Sequence, residues 1–181
     1  AIVLSWVVGL PVGVLAAMRR NSWMDYSARF FITLFLAIPG FWFALAILLF
    51  TILVFSWRPS LQIVYFWENP TRNFAMTFLP AIVYAMAGSA IVARMTRATL
   101  LEVLREDYVR TAYAKGLSAR LVLVRHALKN AVLPVITLTG LLLAGILGGS
   151  VALERAFAIP GLGFTFIEAI ARDKSMFEKE D

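Results

Sequence analysis

The sequence contains no cysteine and a single histidine, His126. The lack of cysteine excludes a disulfide scaffold, thiol catalysis and thiolate metal sites. No acidic or sulfur ligand is spaced beside His126, so we predict a structural role for it and no metal site. A phosphate-binding loop of the form GxxxxGK is also missing, and no pair of carboxylates falls in an apolar segment. We therefore expect no enzyme, no cofactor and no bound ATP in this chain.

Charged residues are scarce as well, at 15% of the 181 residues, whereas 61% are hydrophobic. This balance is far from that of a soluble globular domain, and apolar runs of about 20 residues recur along the chain. The composition therefore predicts a multi-pass membrane protein. No ionisable residue falls at the centre of a predicted span. Because proton- or ion-driven carriers usually need one, this disfavours a secondary transporter or channel.

Four apolar segments predict an all-α, polytopic membrane helix bundle, with spans at about residues 1–18, 30–55, 74–93 and 131–153. Pro39 lies near the middle of the second span, where its missing amide predicts a kink; the kink is either a simple bend or a hinge for alternating access. Gly145 and Gly149 lie four residues apart on the fourth span, a spacing that permits close helix approach. They indicate either packing within the chain or a helix that lines the translocation path or meets a second permease.

The distribution of Lys and Arg predicts which loops lie in the cytoplasm. Residues 19–29 hold three basic residues and residues 94–129 hold eight, whereas residues 56–73 hold two and residues 154–163 hold one. Alternating spans place the two basic loops on the same side of the membrane. The positive-inside rule makes that side the cytoplasm.

The second basic loop, residues 94–130, has more organisation than sidedness requires. We predict that residues 94–109 continue the third span as a helix, that Gly116 forms a left-handed turn, and that Ser118 caps a second helix over residues 119–130. Pro134 is expected in the first turn of the next span. One reading is a connecting loop whose charges only set topology, and the other is a docking surface. A nucleic-acid surface is disfavoured, because the loop lacks an array of base-stacking aromatic residues.

The motif "DYVRTAYAKGLSARLVLVRHALKNAVLPV", at residues 107–135, resembles the cytoplasmic loop of ABC importer permeases in the dipeptide, oligopeptide and nickel class. That loop is often described as Glu-Ala-Ala, three residues, then Gly; anchored on Gly116, this chain has Arg110, Thr111 and Ala112 in the first three places. It departs from the general form at two of them but is similar to the version of the peptide class. Further segments agree in order: "GLPVGVLAAMRRNSWMD", "IPGFWFAL", "ARMTRATLLEVLREDYVRTA" and "ERAFAIPGLG".

The resemblance implies the fold of a type I ABC importer permease over residues 1–173, followed by a divergent tail at residues 174–181. It implies a bacterial inner-membrane location within the lipid bilayer and three kinds of partner: a second permease subunit, cytoplasmic ATP-binding subunits and an extracytoplasmic solute-binding protein. A coupling helix in the loop would dock on the ATP-binding subunit. The residues expected at that contact are Arg110, Thr111, Ala112, Ala114, Lys115, Gly116 and Leu117.

The resemblance leaves the cargo open among dipeptides, oligopeptides, glutathione and nickel. A membrane scaffold whose basic loop binds lipid head groups or a regulator remains an alternative if no ATP-binding subunit binds. The chain begins with Ala1, and the family pattern has further spans before Ala1 and after the "IPGLG" turn. We therefore expect the chain to be a fragment that does not transport by itself.

Overall fold

A computed structural model describes residues 1–56, 64–147, 151–157, 159 and 161–177. Regular structure in these residues is helical, with one π-helical segment and no strand. The helices are α1 (Ile2–Met18), α2 (Trp23–Ala37), α3 (Gly40–Phe55), α4 (Pro70–Val103), α5 (Asp107–Ala114), α6 (Ala119–Leu121), the π segment (Val122–Ala127), α7 (Leu128–Leu147), α8 (Val151–Ala156) and α9 (Leu162–Phe177). The chain divides into two units, residues 1–38 with 84–142, and residues 39–83 with 143–181.

Small residues on one face of α1 let it pack directly against α4 in the first unit. Ser5, Gly9, Gly13 and Ala17 are spaced by four residues and are all buried. A methyl group added at Gly9 would lie 2.6 Å from the carbonyl oxygen of Ser89. Membrane helices associate through such close packing, since burial of apolar surface does not drive association in lipid. The spacing therefore fixes the face of α1 that meets α4.

Two polar contacts and an apolar cluster complete the packing around α1. The Ser5 hydroxyl donates to the carbonyl of Ala85 at 3.2 Å, and the Trp6 indole Nε1 donates to the Thr139 hydroxyl at 2.9 Å. The first bond joins α1 to α4, and the second joins α1 to α7. Helix α2 packs against α4 through a cluster formed by Ile32, Ala90 and Ala93, with Val12 of α1 and with Phe35 and Leu36 around it.

The predicted second span consists of two helices in the structure, α2 and α3. Helix α2 ends at Ala37, and Ile38 is extended with φ −81° and ψ 123°. A residue before proline disfavours the helical region, because the proline ring collides with its backbone. Pro39 therefore breaks the chain into two helices where the sequence predicted a kink in one.

Two continuous helices in the described part of the chain are long and apolar enough to cross a membrane, Pro70–Val103 and Ala119–Ile146. Counting α2 and α3 as one broken span adds a third, and α1 is a shorter apolar helix of 17 residues. Helix α4 has 34 residues, so at 1.5 Å per residue it is about 50 Å long, whereas a hydrocarbon core is about 30 Å thick. Its length therefore exceeds what a span needs.

The predicted cytoplasmic loop has the expected order of helix, turn and helix, but its helices begin and end at residues other than those predicted. The third span continues as α4 only to Val103, and α5 begins at Asp107. Gly116 has φ +78°, the left-handed conformation expected from its place after Lys115. Ser118 occupies the N-cap position of α6, although its side chain makes no capping hydrogen bond within the described residues.

The second helix of the loop does not end near Asn130, and Pro134 does not open a new helix. From Ala119 the chain is helical without a break, and Pro134 lies inside α7. The position of Pro134 deprives the carbonyl of Asn130 of its helical N–H donor, since proline has no amide hydrogen. The loop is therefore joined to the fourth predicted span by one continuous helix.

In the second unit, α3 packs with α8, and α8 packs with α9. Ala44, Leu153 and Phe157 are buried. Beyond α8, the amide of Ile159 donates to the carbonyl of Glu154 at 2.9 Å, and the amide of Gly163 reaches the Glu154 carboxylate at 3.4 Å. These bonds join Glu154 of α8 to Ile159 and to Gly163 in the first turn of α9, and α9 ends at Phe177, within the tail predicted for residues 174–181.

Candidate functional site: the cytoplasmic loop

The predicted cytoplasmic loop is held by a small apolar core of its own. Val109 and Ala112 on α5 are 0% and 4% exposed, and they pack against Val122, which is 0% exposed. The surrounding side chains are Val103, Leu104 and Leu117. This core joins α5 to the end of α4 and to the start of the π segment. Helix α5 is therefore seated on a packed base, although it has only eight residues.

The seven residues predicted for docking do not all face outward. Five are exposed: Arg110, Thr111, Ala114, Lys115 and Gly116. Leu117 is half-buried at the edge of the loop core, and Ala112 points into that core. The small size of Ala112 thus serves packing inside the loop, whereas Ala114, two residues further along α5, presents a small side chain to solvent. Close approach by a partner would occur at Ala114.

A polar bridge connects α5 to the helix that follows it. The Asn130 amide Nδ2 donates to the Tyr108 hydroxyl oxygen at 2.8 Å, and that hydroxyl donates to the carbonyl of His126 at 3.4 Å. His126 takes part through its backbone, in keeping with the structural role predicted for it. The bridge fixes one end of α5 against the junction of the π segment and α7.

The base of the loop is fastened to the predicted membrane helices as well. Leu100, Ala127, Ala131 and Ala17 form a buried cluster that joins α4, the π segment, α7 and α1. Beside it, the Thr99 hydroxyl donates to the carbonyl of Ala131 at 2.9 Å. The loop is therefore joined to α1, α4 and α7 through packed side chains.

The π segment Val122–Ala127 lies where the sequence predicted a regular amphipathic helix. Short π segments are rare in proteins and are frequent at functional sites. Here the segment supplies both Val122 to the loop core and Ala127 to the cluster beside Leu100. The widened turn thus directs two buried side chains of one short helix toward different clusters.

The loop is positively charged on the surface that it exposes. Residues 94–129 carry eight basic and three acidic side chains. The ion pair between Arg110 and Asp107 is 3.6 Å long with both side chains largely exposed, so it contributes little to stability. At Arg110 and Lys115, on the exposed side of α5, such charge suits a partner with an acidic rim, and charge of this kind mainly raises the rate of association.

Asp25 and Arg97 form a buried ion pair that was not predicted from the sequence. Arg97 Nε and Nη2 donate to Asp25 Oδ1 and Oδ2 at 2.6 and 2.8 Å, a bidentate geometry, and the Asp25 side chain is 0% exposed. The pair joins the first turn of α2 to α4, six residues before α4 ends. The cap residue Ser22, three positions before Asp25, marks a helix start but gives no sign of a partner 72 residues away.

Both residues lie outside the predicted spans, in the two loops assigned to the cytoplasm. The hydrogen-bonded guanidinium of Arg97 holds the pKa of Asp25 below its ordinary value of 3.8, against the opposing effect of burial. The amide of Asn21, which donates to the carboxylate, and the positive charge of Arg29 lower the pKa of Asp25 as well. The Asp25 carboxylate in turn raises the pKa of Arg97. Both groups are therefore charged throughout the physiological pH range.

The other sequence-predicted positions are Gly145, Gly149 and Pro39. Gly145 is exposed, and a methyl group added there would meet no atom of the described residues within 4 Å. Gly149 lies outside the described residues. Pro39 precedes α3 and lies at the break between α2 and α3. None of these three positions has a described contact that identifies a path or an interface.

Several known proteins resemble this chain over most of its length. The family described as "binding-protein-dependent transport system inner membrane component" matches residues 9–176. The dipeptide transport system permease protein DppB of Bacillus subtilis is 43% identical over 94% of this chain and 53% of its own length. The oligopeptide transport system permease protein AppB of the same organism is 40% identical over 94% of this chain and 55% of its own length.

The dipeptide transport system permease protein DppB of Escherichia coli is 36% identical over 95% of this chain and 58% of its own length. The chain thus spans about half the length of the curated relatives it matches. The family match covers most of the chain and confirms the predicted resemblance, the helical fold and the membrane location. The chain belongs to the family of inner membrane components of binding-protein-dependent transport systems.

Proposed function

We propose that the protein acts as a permease subunit of an ABC importer that carries peptides across the bacterial inner membrane. Similar proteins are named dipeptide and oligopeptide permeases, which supports peptides as the cargo. ATP is hydrolysed by separate cytoplasmic subunits. A second permease subunit completes the pathway, and an extracytoplasmic solute-binding protein delivers the peptide.

The observation that carries this proposal is the exposed face of α5 on a packed base. Val109 and Ala112 anchor the helix from below, and Arg110, Ala114 and Lys115 remain exposed above. A short helix that transmits force must be held by packed side chains on one face and be accessible to a partner on the other. A loop that only set topology would need neither the apolar core nor the bridge between Tyr108 and Asn130.

The free face suits a groove in an ATP-binding subunit. Ala114 permits close approach at the centre, and Arg110 and Lys115 pair with acidic side chains at the rim of the groove. Gly116 directs the chain away from the partner in a conformation that other residues adopt at a cost. Tyr113 is 45% exposed beside Ala114, and a tyrosine in such a place supplies apolar contact area and a hydroxyl.

Docking is tested by co-purification of the ATP-binding subunits with the assembled permease. Ala114→Glu places a charge in the centre of the contact, so we expect retention of the ATP-binding subunits to fall about tenfold or more. Lys115→Glu reverses a rim charge and should weaken retention less, with an effect that shrinks at high salt.

The matched control is Lys129→Glu, the same charge reversal at an exposed site at the start of α7. It should leave retention as in the wild type. Ala112→Glu is a poor probe, because a charge there disrupts the loop core whether or not a partner binds. Unchanged retention in both Ala114→Glu and Lys115→Glu would show that the ATP-binding subunit docks elsewhere.

A further inference from the structure

Asp25 lies between two arginines that differ in how they are held. Arg97, on α4, binds both carboxylate oxygens and has 19% of its side chain exposed. Arg29, one turn further along α2, places its Nε 3.6 Å from Asp25 Oδ1, beyond hydrogen-bond distance. That Nε is buried and has no hydrogen-bond partner among the described residues. The Asp25 carboxylate is therefore held by two hydrogen bonds from Arg97 of α4, while Arg29 of its own helix forms a longer ion pair with it and no hydrogen bond through Nε.

The surroundings keep Arg29 near the carboxylate. Its guanidinium carbon lies 4.5 Å from the centroid of the Tyr26 ring, an arrangement that favours a cation over the aromatic face. A small rotation of the Arg29 side chain would bring Nε within hydrogen-bond distance of Asp25. The amide of Asn21 also donates to Asp25 Oδ2 at 3.0 Å, so the carboxylate is fixed to the α1–α2 turn whichever arginine it binds.

Arg97 stands on the helix that carries the coupling loop. Helix α4 ends six residues after Arg97, at Val103, and Val103 and Leu104 pack against the core that seats α5. A displacement of α5 is therefore passed to the end of α4 and reaches Arg97 within two helical turns. If α4 shifts relative to α2, the two hydrogen bonds to Asp25 must break, together with apolar contacts of the Ile32, Ala90 and Ala93 cluster.

A buried carboxylate that has lost its cationic partner is strongly unfavourable. If Asp25 could bind only Arg97, it would therefore oppose a shift of α4 relative to α2. A second arginine that takes over the carboxylate removes most of that penalty. We propose that Asp25 exchanges partners between Arg97 and Arg29 as the coupling loop moves, and that this exchange is the switch that joins or releases α2 and α4. The inference rests on the proposed function, since movement of α5 is imposed by the ATP-binding subunits.

The exchange gives α2 and α4 two defined arrangements. In one, Arg97 ties α4 to the α1–α2 turn; in the other, Asp25 is hydrogen-bonded to Arg29 within α2 and its ion pair with α4 is broken. A transition between discrete arrangements is what carries coupling between distant sites. Arg29 is thus a positioning residue that acts through Asp25 and touches no cargo.

Because the chain has no native cysteine, spin labels attach to it only at cysteines that are introduced. Met24→Cys and Ala98→Cys put labels at exposed positions next to Asp25 and Arg97. Label separation is measured by pulsed electron paramagnetic resonance in the assembled transporter, with other cysteines replaced, in the absence and presence of a non-hydrolysable ATP analogue. We expect the analogue to shift the population from one separation to a second, longer one.

Arg29→Gln should lower the population of the longer separation about tenfold, because Asp25 then has no second partner. Arg29→Lys should retain much of the population at the longer separation, since lysine also supplies a cation to Asp25. Arg20→Gln, which removes an exposed arginine of the preceding turn, serves as the control and should behave as the wild type. Peptide uptake per ATP hydrolysed should fall with Arg29→Gln and not with Arg20→Gln.

Two results overturn the inference while leaving the proposed function intact. One is a wild-type transporter that takes up peptide but shows the same label separation with and without the analogue. The other is an Arg29→Gln variant whose two populations match those of the wild type. Failure of the ATP-binding subunits to bind at all contradicts the proposed function, and the inference falls with it.

Discussion

Gly9 of α1 touches the backbone of Ser89 of α4 so closely that a methyl group on Gly9 would lie 2.6 Å from the Ser89 carbonyl oxygen. Gly13 stands in the same relation to Ala93, at 2.6 Å, one turn further along. A backbone carbonyl inside a long helix cannot move aside as the end of a side chain can. The glycines of α1 therefore set the distance between two helices of the first unit.

Gly9→Ala and Gly13→Ala should each destabilise the protein by about 1–3 kcal/mol, the usual cost of forcing extra volume into packed contacts. The measurement is the thermal unfolding midpoint in a fixed detergent. Gly140→Ala is the control, because no described atom lies within 4 Å of the added methyl and the residue is exposed on α7. It should leave the midpoint unchanged or raise it, since alanine favours a helix over glycine by about 1 kcal/mol. Equal effects at the three sites would contradict this packing.

Gly116 should tolerate substitution in an order set by its backbone conformation. With φ +78° and open space around it, the obstacle to a side chain is strain and not collision. Gly116→Asn should be mildest, Gly116→Ala should cost about 1–2 kcal/mol, and Gly116→Val should be worst. Hydrogen–deuterium exchange of α5 reports the effect, with faster exchange for greater strain. An alanine variant as protected as the wild type would show that the turn does not depend on the left-handed conformation.

The bridge between Tyr108 and Asn130 should contribute modestly to the stability of the loop. Tyr108→Phe removes the hydroxyl that accepts the Asn130 amide and should cost about 0.5–1.5 kcal/mol. Asn130→Ala removes the other partner. In a double-mutant cycle on the unfolding midpoint, the double variant should be no less stable than the worse single variant. Full additivity of the two costs would mean that the bridge contributes nothing.

The Asp25–Arg97 pair predicts how stability depends on pH. Because the folded-state pKa of Asp25 is lowered from 3.8, its contribution is fully present above that value and is lost as the pH falls through the folded pKa. The pair should therefore add no pH dependence between about pH 5 and 8, and its loss should appear only below about pH 4.

Asp25→Asn should unfold at lower temperature than the wild type at neutral pH, with a gap that narrows in acid. The unfolding midpoint of both proteins, measured from neutral pH to below pH 4, checks this. Arg110→Gln is the control, because its ion pair with Asp107 is exposed and should contribute little at any pH. A gap between wild type and Asp25→Asn that stays constant into acid would contradict the assigned role of the carboxylate.

Local signals in the sequence were sufficient for features that depend on neighbouring residues. The turn at Gly116 was predictable because a glycine after a basic residue at a helix end favours the left-handed conformation. The break at Pro39 was predictable in place but not in kind. Pro134 lies inside the unbroken α7, whereas Pro39 lies at the break between α2 and α3, so a proline alone does not decide whether a helix continues or ends.

Features that depend on distant residues could not be obtained in this way. The inward direction of Ala112 depends on the position of the π segment against α5, and nothing in the sequence marked residues 122–127 as π-helical. The spacing of Gly145 and Gly149 resembles that of Gly9 and Gly13, yet Gly9 and Gly13 contact α4, whereas a methyl group on Gly145 would meet no described atom within 4 Å. Spacing identifies a face that is able to pack, while the partner is a property of the whole fold.

The proposed function is tested most directly by ATP-driven transport of a labelled dipeptide in vesicles that contain the assembled transporter. The solute-binding protein is supplied at the extracytoplasmic face of the membrane. We predict accumulation that requires ATP at the cytoplasmic side, that Ala114→Glu abolishes and that Lys129→Glu preserves. Unlabelled peptides should compete, whereas glutathione and nickel should not. Accumulation without ATP, or competition by nickel or glutathione but not by peptides, would contradict the proposed function.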